Sequence, residues 1–564
     1  MTRRPLVCFF FLLIAVITAQ EKYPTDAFRP PLDIPLILSG TFGELRSNHF
    51  HGGIDIKTQQ RQGLPIYAIA DGTITRIKVS LYGYGKALYV AHPNGFTSVY
   101  AHLQKYGPKI QEYIKGVQYD KRKYEVEVFP KYGALEIKKG DIIAYTGNTG
   151  GSSGPHLHFE IRNSVTQKPT NPLLYGLEVR DATNPELVGL FGYPLSPGAH
   201  INQSEEKIQL NFNKQSNGTF LADKVTALGT IGFGFNGFDR QDMAANKNGA
   251  YAVTQTINGK VYSSYDFETF SFAETRYINA FIDYAHFKKF RQRIQKVFKE
   301  PFNKLGIFKA LYEDGKLTVE EGMSYTVELS IKDFEKNEIK VIIPVEGKKD
   351  SIRRKKKVAE SDVLLRAVKP NSYDLGFAKV YFPSGTFYDD FYIDLEKGTD
   401  TVTIHNDGTP VHRNYTINFD VSKYSKEERK QLFVSLLDKK NEPRYARTYK
   451  KGETFITRTK NLGKYTLTRD TVAPKISPRN FKPGKWLNNY NYLSLTITDD
   501  LSGISSYNAY LNGKWILMEY EPKKRTITYN FEDDIVDETQ CNLKVVVTDN
   551  VGNTTTFEES FYRK

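Results

Sequence analysis

Cysteine is nearly missing from this chain of 564 residues, which holds only Cys8 and Cys541. Cys8 falls in the apolar N-terminal stretch discussed below, so Cys541 stands alone in the rest and an internal disulfide framework is excluded. Cys541, Leu543, Val545 and Val547 recur at every second position, which puts the thiol on the buried face of a strand. Methionine (4) and tryptophan (2) are also scarce. Beyond the N-terminal stretch no run is long and apolar enough for a membrane-spanning helix. Histidine is sparse and unevenly spread: of ten, six lie between His49 and His158. Because histidine is the usual metal ligand and general base near neutral pH, the chemistry is expected near the N-terminus.

What is abundant points to β structure. There are 37 tyrosines and 36 phenylalanines, and aromatic and β-branched residues favour half-buried strands. The length exceeds what one core supports, so several domains are expected. Residues 1–19 open Met1-Thr2-Arg3-Arg4, continue with an apolar stretch over 6–17 and end Thr18-Ala19. This reads as a secretory signal peptide, an uncleaved anchor being the alternative because Ile17 stands where a small residue is usual. Export to the periplasm or cell surface follows. The net charge of +14 becomes +12 without Arg3 and Arg4 (14 minus 2). A basic exported chain is drawn to anionic polymers such as cell wall, or the lysines simply keep it soluble. Export makes nucleic acid the least expected partner.

Along residues 20–176, short strands are expected at 64–70, 73–79, 87–92 and 97–101, separated by Asp71-Gly72, Asn94-Gly95 and Lys139-Gly140. Residues 105–132, charged and tyrosine-rich without a clear period, read as an inserted hairpin or loop. A β-sandwich domain follows over 177–350. It carries one expected helix at 283–299, capped by Asp283, with Phe287, Phe290, Ile294, Val297 and Phe298 at helical spacing and a basic opposite face. The run Arg353-Arg354-Lys355-Lys356-Lys357 reads as a solvated linker or a patch for phosphate or carboxylate polymers. A second β-rich domain spans 351–469, and Asp470-Thr471-Val472-Ala473-Pro474 opens a last domain over 470–564. A weak repeat links the second and last: Asn258-Gly259-Lys260 matches Asn512-Gly513-Lys514, and Asp333-x-x-x-Asn337 matches Asp549-x-x-x-Asn553. These β blocks are similar to bacterial immunoglobulin-like domains, which implies spacer or adhesion modules.

The chemistry-bearing residues form a few short segments. In His156-Leu157-His158, positions i and i+2 of a strand share a face, with Cα atoms roughly 7 Å apart, so both imidazoles can converge on one ion. His51 and Asp55 flank Gly52-Gly53, which opposes a helix and lets the chain bend. Two imidazoles and one carboxylate make a three-ligand zinc set that leaves a position for water; His49 is a rival ligand. His102 follows a strand and, taken alone, is more often a structural histidine. Glycines 147, 150, 151 and 154 lack the Gly-Lys-Ser/Thr of a phosphate loop and read instead as one wall of a cleft.

Over about 37–175 the chain resembles the lysostaphin-type (LytM) zinc metallopeptidase family. The resemblance rests on Phe50-His51-x-Gly53-x-Asp55, Tyr100-Ala101-His102-Leu103, Gly147-x-Thr149-Gly150 and Gly154-Pro155-His156-Leu157-His158-Phe159-Glu160. It implies His51, Asp55 and His158 as ligands of one zinc ion and His102 and His156 as catalytic histidines. The implied fold class is all-β and multidomain: an antiparallel β peptidase domain with an open groove, followed by β-sandwich (immunoglobulin-like) domains. The implied function is an exported zinc metalloendopeptidase cutting peptide cross-links of bacterial peptidoglycan. Other cell-envelope proteins are further partners through the β domains. The alternatives are a non-catalytic wall-binding regulator of other wall hydrolases and a peptidase of Gly-rich proteins.

Overall fold

The computed structural model describes residues 22–357 and 361–564; the expected signal peptide lies outside the described residues. Its architecture is almost entirely β, in several sheets. The sheet that carries the candidate site residues runs through β1 (Leu38–Gly40), β2 (Ile54–Lys57), β3 (Gly72–Val79), β4 (Lys86–Ala91), β5 (Phe96–Ala101), β6 (Val126–Val128) and β7 (His156–Asn163). Their spatial order is β1-β2-β7-β5-β4-β3-β6, with every pairing antiparallel. Strand β7 lies centrally, and its alternation decides its two faces. Leu157, Phe159 and Ile161 are fully buried in the core, while His156, His158, Glu160 and Arg162 point to the opposite side. Gly53 is required where the chain crosses β7, since a Cβ there would lie 2.3 Å from the Phe159 carbonyl oxygen.

The stretch at 105–132 is not a loop. It contains helix α1 (Pro108–Lys121), which starts with Pro108 in the first turn and ends at left-handed Arg122. Ile110, Ile114 and Gln118, four apart, are its buried stripe. The exposed side of α1 meets the last block of the chain. Tyr119 sets its ring edge-on to Trp515 at 5.5 Å, and Lys115 and Tyr119 both bond Asp533.

The second block is a large, mostly antiparallel sheet that includes β8 (Glu186–Pro194), β9 (Val225–Phe238), β10 (Ser324–Lys332) and β11 (Glu338–Gly347). It shares one hydrophobic core with the first block. Phe50, beside His51, packs on Phe267, Phe270 and Phe281 at centroid distances of 5.5, 5.6 and 6.1 Å. Gly43, with φ +74°, lies so close that a Cβ would be 2.4 Å from the Phe267 ring.

The helix expected over 283–299 is shorter. Asp283 caps α2 (Tyr284–Phe290) by accepting from the His286 amide, and Arg291 ends it in the left-handed region. Ile294, Val297 and Phe298 are buried instead in extended chain, where Gln295–Lys296 pairs with β9. Lys288 and Lys296 of the expected basic face are engaged by Asp407 and Glu300. The basic run at 353–357 keeps its side chains exposed, but its backbone is tied to the second block through Gln203 and Glu205.

Two further blocks have their own cores. Residues 371–469 form a pair of five-stranded sheets around Val380, Ile417 and Tyr465. Residues 475–562 form a pair of four-stranded sheets around Leu495, Ile527 and Val545. Cys541 is buried there. The Asn-Gly pairs at 258–259 and 512–513 both have two positive φ angles (47° and 80°, 48° and 79°), which is the type I′ hairpin turn. Among the described residues no helix is long and apolar enough to cross a membrane.

Candidate functional site

Register brings the ligand candidates together. Asp55 on β2 lies directly opposite His158 on β7, and on the other side of β7 His158 lies opposite Ala101, the residue before His102. His51 enters from the bend before β2. The result is a triangle: His51 Nε2 is 3.0 Å from Asp55 Oδ1 and 3.0 Å from His158 Nδ1, and His158 Nδ1 is 2.9 Å from Asp55 Oδ1. All three side chains are buried.

The other ring nitrogens explain why these atoms face one another. His51 Nδ1 donates to the Thr41 carbonyl at 2.8 Å, which leaves its Nε2 a lone pair. His158 Nε2 donates to Glu160 Oε1 at 2.8 Å, which leaves Nδ1 the free nitrogen. Asp55 Oδ2 is taken by Arg46 at 3.0 Å, and the same guanidinium bonds Glu44, so only Oδ1 faces inward. Three acceptor atoms at this spacing repel unless a positive charge sits among them. Without a metal ion that charge is a proton. Burial opposes it, yet the hydrogen bonds to Asp55 and Glu160 push His158 up to about 9. Asp55 is held well below the usual carboxylate range: burial works against its charge, but His51, His156 and His158 outweigh it. A tetrahedral zinc with bonds of about 2.0–2.1 Å keeps its ligands about 3.3 Å apart, so the donor set fits that ion after shifts of a few tenths of an ångström.

Two further histidines face the same space. His156 Nδ1 is 2.9 Å from the Gly154 carbonyl and 3.1 Å from Ser152 Oγ, while its Nε2 is 3.5 Å from Asp55 Oδ1. His102 Nδ1 donates to the Thr149 carbonyl at 2.8 Å. Burial, then the neighbouring His158 and His156, push His102 down to about 3, so it is neutral. Its ring lies 4.8 Å from that of His156. His102 has φ 59°, a left-handed backbone more common for His, Asn and Asp than for other side chains. Hydrogen bonds from the His102 and Leu103 amides to the Tyr84 and Lys86 carbonyls hold it there.

All five residues singled out from the sequence therefore meet in one place. His49 does not join the triangle; its Nδ1 lies 3.0 Å from the Ser47 carbonyl and it lines the rim. Sequence reasoning missed the supporting layer. Glu160, fully buried, accepts from His158, from Arg162 Nε at 2.6 Å and from Tyr84. A polar row at every second position of β7 was the available signal for it. The groove above the site has a volume of about 1090 Å³. One wall is the glycine-rich turn with Gly151 and Gly154; the other carries Met243 and Asn246 from the second block. The last block reaches the rim too: Lys523 donates to the Ser152 carbonyl at 3.0 Å.

The family model described as Peptidase family M23 matches residues 49–118 and 132–172. The unmatched interval covers the end of α1 and β6, less than the whole stretch read as an insertion. A second family model, for a Zu5-like domain, matches residues 362–470. Among curated proteins, the DD-carboxypeptidase/endopeptidase Mpg of Neisseria meningitidis serogroup B is 33% identical over 139 residues, 25% of this chain and 26% of that protein. Lysostaphin of Staphylococcus staphylolyticus is 30% identical over 125 residues, 21% of each. The chain thus spans about a quarter of the length of the curated relatives it matches. Among solved structures, the catalytic domain of the M23 protein EnpA from Enterococcus faecalis is 25% identical, covering 27% of this chain and 98% of that one, with a TM-score of 0.20.

Proposed function

We propose that this chain, which carries a peptidase family M23 domain, is an exported endopeptidase that hydrolyses peptide cross-links of bacterial peptidoglycan with one zinc ion held by His51, Asp55 and His158. The observation that carries the reading is the convergence of three inward acceptor atoms about 3 Å apart, with two more imidazoles facing the same groove. The relatives named as an endopeptidase and as lysostaphin support the wall as substrate. Other cell-envelope proteins are proposed as partners of the β blocks.

When bound, the ion supplies Lewis acidity toward a scissile carbonyl and an attacking water. The chain's own residues do the proton work. His156, with its Nδ1 anchored on Gly154, offers a free Nε2 to take a proton from water. His102, neutral and anchored on Thr149, presents its Nε2 beside it and, once the proton taken up by His156 reaches it, stabilises the oxyanion or protonates the leaving amine. Arg46 keeps Asp55 from offering both oxygens. The open groove admits an extended peptide between the glycine-rich turn and the wall bearing Met243.

The test is mass spectrometry of purified sacculi digested with the mature chain, with and without chelator, beside His156→Ala. Chelator-sensitive loss of cross-linked dimers that His156→Ala does not produce is the expected result. Intact cross-links after incubation with zinc-loaded protein would overturn the assignment.

A further inference from the structure

A second group of acidic side chains lies where the chain leaves the first block for the second. Asp181 is in that connection, Asp239 follows the end of β9, and Asp333 opens the turn between β10 and β11. One carboxylate oxygen from each lies within 4.8 Å of the others. Asp239 and Asp333 are each 2% exposed. Among the described residues none of the three forms an ion pair with Lys, Arg or His. Like charges at this spacing, out of water and without a countercharge, need something positive between them.

A separate observation points to what that is. Gln241, outside the acidic group and 6% exposed, has its side-chain oxygen buried without a hydrogen-bond partner. So does Asp239 through Oδ1. Both line one small cavity of about 20 Å³ together with Asp181. Space of that size holds about one water-sized particle. The donors are all oxygen, which suits a hard cation and not zinc or copper. Ca²⁺ in particular accepts mixed carboxylate and amide oxygens in irregular geometry.

The arrangement recurs in the last block, along the repeat seen in the sequence. Asn337 donates from its backbone to Asp333 Oδ1 at 2.8 Å and from its side chain to Asp333 Oδ2 at 2.7 Å and the Asp181 carbonyl at 3.1 Å. Asn553 does the same to Asp549 at 2.9 and 2.8 Å and to the Asp470 carbonyl at 3.3 Å. There the third acid is Asp499, again just past a strand end. The Asp–Asn turn, its contact to an upstream aspartate carbonyl and a third acid thus recur in both blocks.

We propose that Asp181, Asp239 and Asp333, with the Gln241 side-chain oxygen, bind a hard divalent cation of the Ca²⁺ type, separate from the histidine site. The cation joins three segments and fixes the base of one groove wall. Asp239 and Asn248 exchange backbone hydrogen bonds at 2.9 and 2.8 Å, closing the loop that bears Met243 and Asn246. The next residue, Gly249, donates to Thr41 Oγ1 at 3.3 Å, and Thr41 holds His51. Loading the acidic site therefore stiffens a path that ends at a zinc-ligand candidate.

The experiment is equilibrium dialysis of the full chain, stripped of divalent ions, against radiolabelled CaCl₂. Asp239→Asn is expected to retain one Ca²⁺ fewer than the natural chain, with an unchanged circular dichroism spectrum. Equal Ca²⁺ counts would overturn the proposal and leave shared protons as the countercharge. Should Asp239→Asn not fold, hydrogen exchange of the natural chain decides. Saturating CaCl₂ is expected to slow amides in 239–249 and 331–337 by about tenfold or more, since local opening would then require release of the ion. Exchange there that ignores CaCl₂ would equally overturn it. Neither readout depends on peptidase activity.

Discussion

Replacing Glu160 by Gln tests whether the layer behind the ligands sets the metal site. Glu160 is fully buried and accepts from His158 Nε2 at 2.8 Å and Arg162 Nε at 2.6 Å. Burial disfavours its charge, but Arg162 and His158 outweigh that and push it down to about 2. A carboxamide keeps one acceptor. If that oxygen serves His158, an NH₂ confronts the Arg162 N–H, and a guanidinium only 7% exposed loses its countercharge. Removing one partner of a buried pair costs about 3–5 kcal/mol. Separately, loss of a carboxylate behind a metal-bound histidine weakens metal binding by about 10–100-fold, or about 1.4–2.8 kcal/mol. The double variant Glu160→Gln/Arg162→Met separates the two effects: it should regain most of the stability and none of the affinity. Urea melts of metal-free protein read the first, and competition for zinc against a chelator reads the second. Zinc affinity in Glu160→Gln within about twofold of the natural chain would refute the reasoning, as would full recovery of affinity in the double variant.

Other expectations follow from single features. His156→Ala should keep stoichiometric zinc while turnover of cross-linked muropeptides falls about 100-fold or more; retained turnover would remove His156 from the base role. Phe50→Ala should cost about 3–5 kcal/mol and lower the melting of the first and second blocks together, because Phe50 packs across both; separate transitions in calorimetry would contradict the shared core. His412 stacks on Tyr277 at 4.6 Å and faces Tyr388. Burial, then Arg413 and Arg276, push it down to about 4. Its unfolded value is about 6.5, so the unfolded chain binds more protons between these limits. The stability its neutral form contributes is complete above about 6.5 and is lost as pH falls toward about 4. The melting temperature of His412→Gln should therefore fall less steeply over that range; parallel pH curves for the two proteins would argue against it.

How much of this was legible in the sequence depended on whether a residue's role is carried by its side chain. The strands of the first block and the common face of His156 and His158 follow from period-two alternation, and the two Asn-Gly turns from their chemistry. Helix α1 was hidden because only Ile110, Ile114 and Gln118 form its buried stripe, amid lysines and tyrosines with no net period. The helix at 283–299 was overextended for the opposite reason. Ile294, Val297 and Phe298 kept helical spacing, but Arg291 turned left-handed and the chain continued as a strand. Thr41, Thr149 and Gly154 position three of the histidines through carbonyl oxygens, which every residue possesses, so no residue type could announce them. Arg46 and Glu160 do act through side chains. Glu160 can be read from the alternation along β7, but Arg46 acts on Asp55, and placing Asp55 opposite His158 needed the register between β2 and β7, which pairs residues about a hundred positions apart.

The contact between α1 and the last block has a consequence for biosynthesis. Tyr119 and Asp533 are 414 positions apart. At about 5–20 residues per second on the ribosome, the second partner is made roughly 20–80 s after the first. The five residues of the candidate metal site all lie between positions 51 and 158, so they are in hand long before Asp533 exists. A nascent chain therefore passes through a long interval in which the five residues of the candidate site have been made, while Tyr119 and Lys115 still lack the Asp533 that the last block supplies.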